Sequence, residues 1–182
     1  MHDTRVLGIV GWSGSGKTTL LTRLIPLLVG RGLRIATLKH AHHDFDVDQP
    51  GKDSYEHRRA GASQVIISSA RRWVHMNEVE DGAEASLAEL LEHVLPCDLV
   101  LVEGFKGERH PKLEVYRLAL GKPPLHPEDP RIVAVACDTP LVGLPIPQVD
   151  LNDIDAVAVL VLERAQPMTA VLAALAQQGS PP

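Results

Sequence analysis

One short motif limits what this chain can fold into more than any other feature. Residues 11–18 read Gly-Trp-Ser-Gly-Ser-Gly-Lys-Thr and fit the pattern G-x-x-x-x-G-K-S/T at every fixed position. The motif follows an apolar run at 6–10 and precedes leucines at helical spacing over 18–29. A strand, a glycine-rich loop and a helix in this order predict a phosphate-binding loop in an α/β fold.

The chemistry of phosphate binding explains the spacing of the motif. Its glycines let successive backbone N–H groups face a polyphosphate, and a glycine turn alone would not explain Lys17 beside Thr18. We expect Lys17 to reach the outer phosphates and Thr18 to direct its hydroxyl at a Mg²⁺ bridging them. The predicted nucleotide-binding residues lie in this loop and the start of its helix: Gly11, Trp12, Ser13, Gly14, Ser15, Gly16, Lys17, Thr18 and Thr19.

Several acidic residues are candidates for completing the metal site. Glu103 ends the apolar run 98–103, at the edge of the sheet where ligands bind in open α/β folds. The loop 39–53 adds further acids, and Asp53 is equally suited to cap a short helix that starts there. The candidate catalytic residues are Lys17, Asp46 and Glu103, the candidate metal ligands are Thr18, Asp53 and Glu103, and Asp44 and Asp48 remain alternatives.

One aspartate is a candidate for reading the base. Asp138 follows the apolar run 131–136, where GTP-binding folds place a carboxylate that accepts the guanine N1 and N2 hydrogens. The sequence holds no N-K-x-D element, so Asp138 is the single residue that points to guanine.

The remaining pattern alternates strands and helices and predicts an α/β fold with a mostly parallel central sheet. The strand 112–118 has alternating character, and Pro26 is expected to kink or shorten the first helix. We predict one nucleotide-binding domain over 1–182, with 179–182 disordered. The further predicted strands are 34–38, 64–68 paired with 72–76, 98–103 and 131–136; the further helices are 52–60, 83–94, 152–165 and 167–178.

Composition excludes several classes of protein. Eighteen Lys and Arg against 23 Asp and Glu give a net charge of −5, which argues against nucleic acid as a partner. No apolar run approaches the roughly 20 residues that span a bilayer, so no membrane partner is expected. Cys97 and Cys137 each lie beside apolar residues and indicate buried thiols in a reducing compartment. We expect a cytoplasmic protein.

Two features leave alternatives open. His40, His42 and His43 suit a zinc site by residue type but not by spacing, which favours solvated loop histidines. Trp12 places a large ring in the phosphate loop, and an exposed ring there indicates a contact surface or a lid over the nucleotide.

Four stretches besides the phosphate loop carry a resemblance to a known family. They read Lys-His-Ala-His-His-Asp-Phe-Asp at 39–46, Pro-Gly-Lys-Asp-Ser-Tyr at 50–55, Ala-Gly-Ala at 60–62 and Val-Glu-Gly-Phe-Lys at 102–106. In this order they make the chain resemble the MobB family, the adapters of molybdopterin-guanine dinucleotide biosynthesis, from about residue 6 to residue 138. The tail after Leu151 adds nothing to the resemblance.

The resemblance implies a three-layer P-loop NTPase sandwich that forms homodimers, binds GTP with Mg²⁺ and hydrolyses it slowly. It also implies a partner, the MobA-type molybdopterin guanylyltransferase that joins GMP to molybdopterin; whether molybdopterin itself binds stays open. Trp12 and Ser13 stand where related dimeric ATPases carry a second lysine that reaches across the dimer, a departure that agrees with slow turnover.

Two other functions are compatible with the same loop. A small-molecule kinase or ligase would place Lys39 and the histidines against an acceptor, and would transfer phosphoryl groups fast. A nucleotide-gated metallochaperone would carry a stoichiometric metal on His40, His42 and His43. An adapter needs neither property.

Overall fold

The structure of this protein is a computed structural model that describes residues 4–41, 46–79 and 84–177. The chain divides into two compact units, one formed by residues 1–40 with 87–182 and the other by residues 41–86. The prediction of a single nucleotide-binding domain stays a prediction. The prediction of disorder at 179–182 falls outside the described residues.

The regular elements follow the predicted alternation. The helices are α1 (Lys17–Gly30), α2 (Asp53–Arg59), α3 (Leu87–Glu92), α4 (Ile154–Arg164) and α5 (Met168–Ala176), with a 3₁₀ turn at Leu118–Leu120. The strands are β1 (Arg5–Val10), β2 (Ile35–Lys39), β3 (Gln64–Ser68), β4 (Trp73–Asn77), β5 (Leu99–Glu103), β6 (Lys112–Tyr116), β7 (Ile132–Cys137), β8 (Gln148–Asp150) and β9 (Gln166–Pro167).

The first unit is built on one twisted sheet. Its strands run in the order β2-β5-β1-β6-β7-β8, and every neighbouring pair in this order is parallel. The two-residue strand β9 pairs antiparallel with Arg5 and Val6 at the start of β1, whereas β6 pairs with Gly8–Val10. Since β5 pairs along the other edge of β1, β6 and β9 share one edge. The predicted mostly parallel central sheet is confirmed.

Helices cover both faces of this sheet. Leu7 and Ile9 of β1 point to one face and pack with the leucines of α1 and with α4. Val6 points to the other face and packs with α3 and α5. This alternation along a single strand is what places a helical layer on each side. The α/β fold predicted from the sequence, with the three layers that the family resemblance implies, is therefore present.

Two helix predictions can be compared with the structure. Helix α1 continues through Pro26 to Gly30, so the proline does not shorten it, and a kink at Pro26 stays a prediction. Proline removes one intrahelical hydrogen bond, but the buried leucines on both sides of it keep the helix packed against the sheet. Helix α3 begins at Leu87 rather than at 83, because its apolar anchors are Leu87 and Leu91 and residues 84–86 are not helical.

The alternating character predicted for β6 is wrong. All five of its residues are buried, because β6 lies between β1 and β7 and is covered on both faces. The buried ammonium of Lys112 lies 2.9 Å from Asp129 Oδ2. Glu114 accepts hydrogen bonds from the N–H groups of residues 125 and 126 at 2.6 and 3.0 Å and faces His126 Nδ1 at 3.1 Å. The two charges thus fasten the loop 123–130 onto the sheet.

The second unit contains α2 and a two-stranded hairpin. Strands β3 and β4 pair antiparallel from Gln64 opposite Asn77 to Ser68 opposite Trp73, as the sequence predicted. The hairpin leaves large apolar side chains exposed, with Ile66 at 66% and Trp73 at 57%. An isolated hairpin is marginally stable in water, and its exposed apolar residues are of the kind that a partner covers.

Candidate nucleotide-binding site

The glycine-rich loop connects the carboxyl end of β1 to the start of α1. Gly16 caps the helix in the left-handed region at φ 94°. Gly11 has φ 151°, and a Cβ on it would lie 2.5 Å from the Val115 carbonyl oxygen. Glycine is therefore required at both ends of the loop. Gly16 is required by its backbone conformation, and Gly11 both by its conformation and by the close approach of β6.

Lys17 folds back over the loop that precedes it. Its Nζ donates to the carbonyl oxygens of Gly11 and Trp12, both at 3.1 Å. Burial lowers the pKa of the Lys17 ammonium, while the Glu103 carboxylate opposes this effect. The ammonium lies against two carbonyl oxygens at the start of the loop, a position from which it can reach the outer oxygens of a polyphosphate.

Thr18 and Glu103 meet at the same edge of the sheet. Glu103 ends β5 and pairs in register with Ile9 of β1, so its carboxylate lies beside the start of α1. Thr18 Oγ1 is 3.4 Å from Glu103 Oε1. Hydroxyl and carboxylate oxygens are the ligands that Mg²⁺ prefers. Ser15 Oγ is buried and has no hydrogen-bond partner among the described residues, which fits a loop shaped to satisfy it with an anion.

Trp12 is anchored rather than fully exposed. Its Nε1 donates to the Pro123 carbonyl oxygen at 2.7 Å, and the residue is half-buried. Lys106 Nζ lies 5.0 Å and Lys122 Nζ 5.8 Å from the ring centroid, within the range of cation–π attraction. The sequence predicted an exposed ring; in the structure the ring is half-buried, its orientation is fixed by the hydrogen bond, and two lysines lie beside it.

Asp138 is linked to the phosphate loop through a residue that the sequence analysis missed. Arg117 Nε donates to the Ser15 carbonyl oxygen at 3.0 Å, and Arg117 Nη1 lies 3.6 Å from Asp138 Oδ2. The Leu118 N–H donates to Asp138 Oδ1 at 3.2 Å. The partners Arg117 and Ser15 are 102 positions apart, and only the adjacency of β1 and β6 brings them together, so no local motif marks Arg117.

The candidate acids of the 39–53 loop belong to the second unit. Asp46 accepts two hydrogen bonds from Arg58 Nη2, both at 2.8 Å, and these bonds hold the pKa of the Asp46 carboxyl below its usual value. Asp53 is the first residue of α2 and Lys52 is the capping residue, so the alternative role of Asp53 as the helix cap is wrong. The roles of Asp46 and Asp53 at a metal stay predictions, and Asp44 lies outside the described residues.

His40 follows β2 and lies beside the turn after β5. Its ring is 4.9 Å from the Phe105 ring, and a Cβ on Gly104 would come within 2.8 Å of the His40 Cβ. Within residues 4–41, 46–79 and 84–177 no group of three or more His, Cys, Asp or Glu side chains is arranged to hold a metal ion. His42 and His43 fall outside these ranges, so the zinc alternative is not tested at them.

Comparison with known proteins decides the family. The model of the family described as molybdopterin guanine dinucleotide synthesis protein B, MobB, matches residues 6–138 of this chain. The chain belongs to the MobB family. The match extends from β1 to Asp138 and so contains the whole candidate site. The family predicted from the motifs of the sequence is confirmed.

Relatives of this MobB-family chain cover most of its length. The molybdopterin-guanine dinucleotide biosynthesis adapter protein of Escherichia coli (strain K12) is 46% identical over 164 residues, 88% of this chain and 93% of the relative. The protein of the same name from Haemophilus influenzae is 47% identical over 137 residues, 75% and 76% of the two chains. A crystal structure of molybdopterin-guanine biosynthesis protein B superimposes with a TM-score of 0.69 at 31% identity, covering 87% and 97%.

Of the helices that the structure describes, none combines the length and the apolarity needed to cross a bilayer. The two cysteines, Cys97 and Cys137, are both buried free thiols, as their apolar neighbours predicted.

Proposed function

We propose that this chain is a GTP-binding adapter of molybdopterin-guanine dinucleotide biosynthesis. It binds Mg²⁺-GTP at the phosphate loop, hydrolyses it slowly, and assists a MobA-type guanylyltransferase in joining GMP to molybdopterin. The observation that carries the proposal is the relative named as an adapter, 46% identical over 88% of this chain, together with an intact phosphate loop.

The arrangement of Lys17 and Ser15 supports a nucleotide at the loop. Lys17 Nζ already lies over the backbone carbonyls, and the buried Ser15 hydroxyl has no partner among the described residues. In this proposal Lys17 contacts the outer phosphates, while the loop N–H groups and Ser15 bind the inner ones. Lys17→Ala should therefore abolish tight GTP binding in a calorimetric titration, while Lys52→Ala, which removes an exposed lysine at the start of α2, should leave it unchanged.

Thr18 and Glu103 are proposed as the protein ligands of Mg²⁺. When bound, Mg²⁺ neutralises charge on the phosphates. Glu103→Gln preserves the shape of the side chain and removes a carboxylate, so it should weaken binding of Mg²⁺-GTP more than binding of GTP in EDTA. An equal loss under both conditions would assign Glu103 a structural role. The same comparison at Asp46 and Asp53 tests whether either acid reaches the metal.

Asp138 is proposed to select guanine. Adenine offers no N1 hydrogen and no 2-amino group to a carboxylate, so GTP should bind this site more tightly than ATP. Asp138→Asn should reduce the preference for GTP. Because Asp138 also faces Arg117, the variant Arg117→Gln provides the comparison. If both variants weaken GTP binding and neither changes the preference for GTP over ATP, Asp138 does not read the base.

The exposed apolar hairpin supports a homodimer. Ile66, Trp73 and Val74 remain exposed on β3 and β4, and burying such residues stabilises an association. Sedimentation of the full chain should give a dimer, and Ile66→Asp should shift it toward the monomer. A dimer unaffected by that change would place the interface elsewhere.

Reconstitution tests the adapter role directly. Purified guanylyltransferase, GTP, Mg²⁺, molybdate and molybdopterin are combined with wild type, Lys17→Ala or Trp12→Ala, and the yield of guanine dinucleotide is measured. We expect wild type to raise the yield and Lys17→Ala to abolish the increase. Unchanged yield, or phosphorylation of a small acceptor at kinase rates of about 1–100 s⁻¹, would refute the adapter role and favour a kinase.

A further inference from the structure

The first unit has a pocket away from the phosphate loop. Its volume is about 700 Å³, within the range of small-molecule sites. Side chains from the segments before β6 and β7, from β7, from β9 and from α5 line it. The lining residues used below are Arg109, His110, Arg131, Val133, Gln166 and Ala174.

This pocket and the phosphate loop lie at opposite ends of the parallel strands. Gln166 pairs with Val6 near the start of β1, and His110 and Arg131 closely precede β6 and β7. The phosphate loop follows Val10, at the other end of β1. Four residues of strand separate Val6 from Val10, roughly 13 Å. A ligand in this pocket would therefore not occupy the nucleotide site.

His110 is an unusual residue to find inside the pocket wall. It is 2% exposed, and neither ring nitrogen has a hydrogen-bond partner among the described residues. Its ring packs against Gly8 in the interior of β1, where a Cβ would overlap it. A buried polar group without a partner destabilises the fold, and so does a glycine within a strand. Packing alone would be served better by an apolar residue, so the nitrogens require another explanation.

The charges around His110 favour an anion. Burial, and then the charges of Lys112 and Arg131, lower the pKa of His110 to about 3. The ring is therefore neutral near pH 7 and presents one N–H donor. Arg131 donates from Nε to Asp129 at 2.6 Å and from Nη1 to the Gly107 carbonyl at 2.8 Å, which fixes its guanidinium. Asp129 is also the partner of Lys112, so one carboxylate faces two buried or half-buried cations.

We propose that this pocket binds the phosphate group of a phosphomonoester. Arg109 and Arg131 contact the phosphate oxygens, and His110 supplies a buried N–H donor. Three donor side chains suit the three terminal oxygens of a phosphate better than the two of a carboxylate. The apolar side chains of Val133 and Ala174 provide a surface for the organic part of the ligand. The site does not depend on the proposed GTP-binding function.

Calorimetric titration of the full chain tests this site, with phenyl phosphate and inorganic phosphate as probes. The Lys17→Ala background removes the phosphate loop as a competing site. In that background we expect phenyl phosphate to bind, and the additional change Arg109→Gln to weaken it at least tenfold. Arg109 is exposed, and circular dichroism of the variant checks that the fold is retained. Arg164→Gln, which removes an exposed arginine on α4, is the matched control and should change affinity less than twofold.

Two variants of His110 test its role as a hydrogen-bond donor in the pocket. His110→Leu should weaken phenyl phosphate at least tenfold, whereas His110→Gln, which keeps a side-chain N–H donor, should retain part of the affinity. Tighter binding of phenyl phosphate than of inorganic phosphate supports an ester, and equal affinity would overturn that assignment in favour of free phosphate. Absence of binding in Lys17→Ala, or equal affinities of the Arg109→Gln and Arg164→Gln variants, would overturn the site itself.

Discussion

Replacing Gly8 by alanine tests whether the space at the centre of β1 is reserved for His110. An alanine Cβ would overlap His110 Nε2 and lie 2.8 Å from His110 Cδ2 and 3.1 Å from Lys112 Cγ. His110 and Lys112 are at most 2% exposed, so neither can move into solvent. Overpacking of this kind costs about 1–3 kcal/mol, and the lower unfolded-state entropy of alanine offsets up to about 1 kcal/mol.

We therefore expect Gly8→Ala to lower the free energy of unfolding by about 2 kcal/mol. Urea denaturation followed by circular dichroism measures it. The double variant Gly8→Ala/His110→Ala supplies the control, because the added methyl group then enters space that the ring has left. The double variant should lose less free energy of unfolding, by about 1–2 kcal/mol, than the sum of the losses in Gly8→Ala and His110→Ala. A Gly8→Ala cost below about 0.5 kcal/mol, or additive losses, would refute the argument.

Three further predictions concern other contacts. Glu114→Gln should lower the free energy of unfolding by about 2–5 kcal/mol, because an amide N–H₂ would face backbone donors that now bond a buried carboxylate, and denaturant titration measures it. Arg58 holds the pKa of Asp46 below the usual 3.8. The stability from this pair is therefore present above pH 3.8 and is lost as the pH falls through the depressed pKa. NMR titration should show the pKa of Asp46 rising in Arg58→Gln. Gly11→Ala should destabilise by about 1–3 kcal/mol and abolish GTP binding, measured by thermal unfolding and calorimetry, and near-wild-type values in both would contradict it.

The local sequence was sufficient to predict the elements whose signal is local. Strands β1, β5 and β7 are apolar runs that suit the middle of a parallel sheet, and each was predicted within two residues. The proximity of Thr18 and Glu103 also follows from the sequence, since parallel strands bring their carboxyl ends to one edge. In both cases the pattern and the tertiary environment favour the same structure.

Features that depend on distant partners could not be predicted in this way. Lys112 and Glu114 indicated an outward face for β6, but each charge is satisfied by a loop ten or more positions further along. Arg117 has no motif, because its contact with Ser15 exists only when β6 lies beside β1. Strands β8 and β9, of three and two residues, are too short for a periodic signal.

The two helices that follow the matched region, α4 and α5, each complete one side of the hydrophobic core. Residues Val157 and Val161 of α4 complete the core on one face of the sheet, and Val171 and Leu175 of α5 complete it on the other. A chain ending at residue 138 would keep every matched position and lose one helix from each layer. These positions contribute apolar volume to the fold, and cores tolerate hydrophobic exchanges that keep their volume and pattern. The two helices thus support the sheet that carries the candidate site without contributing a residue to that site.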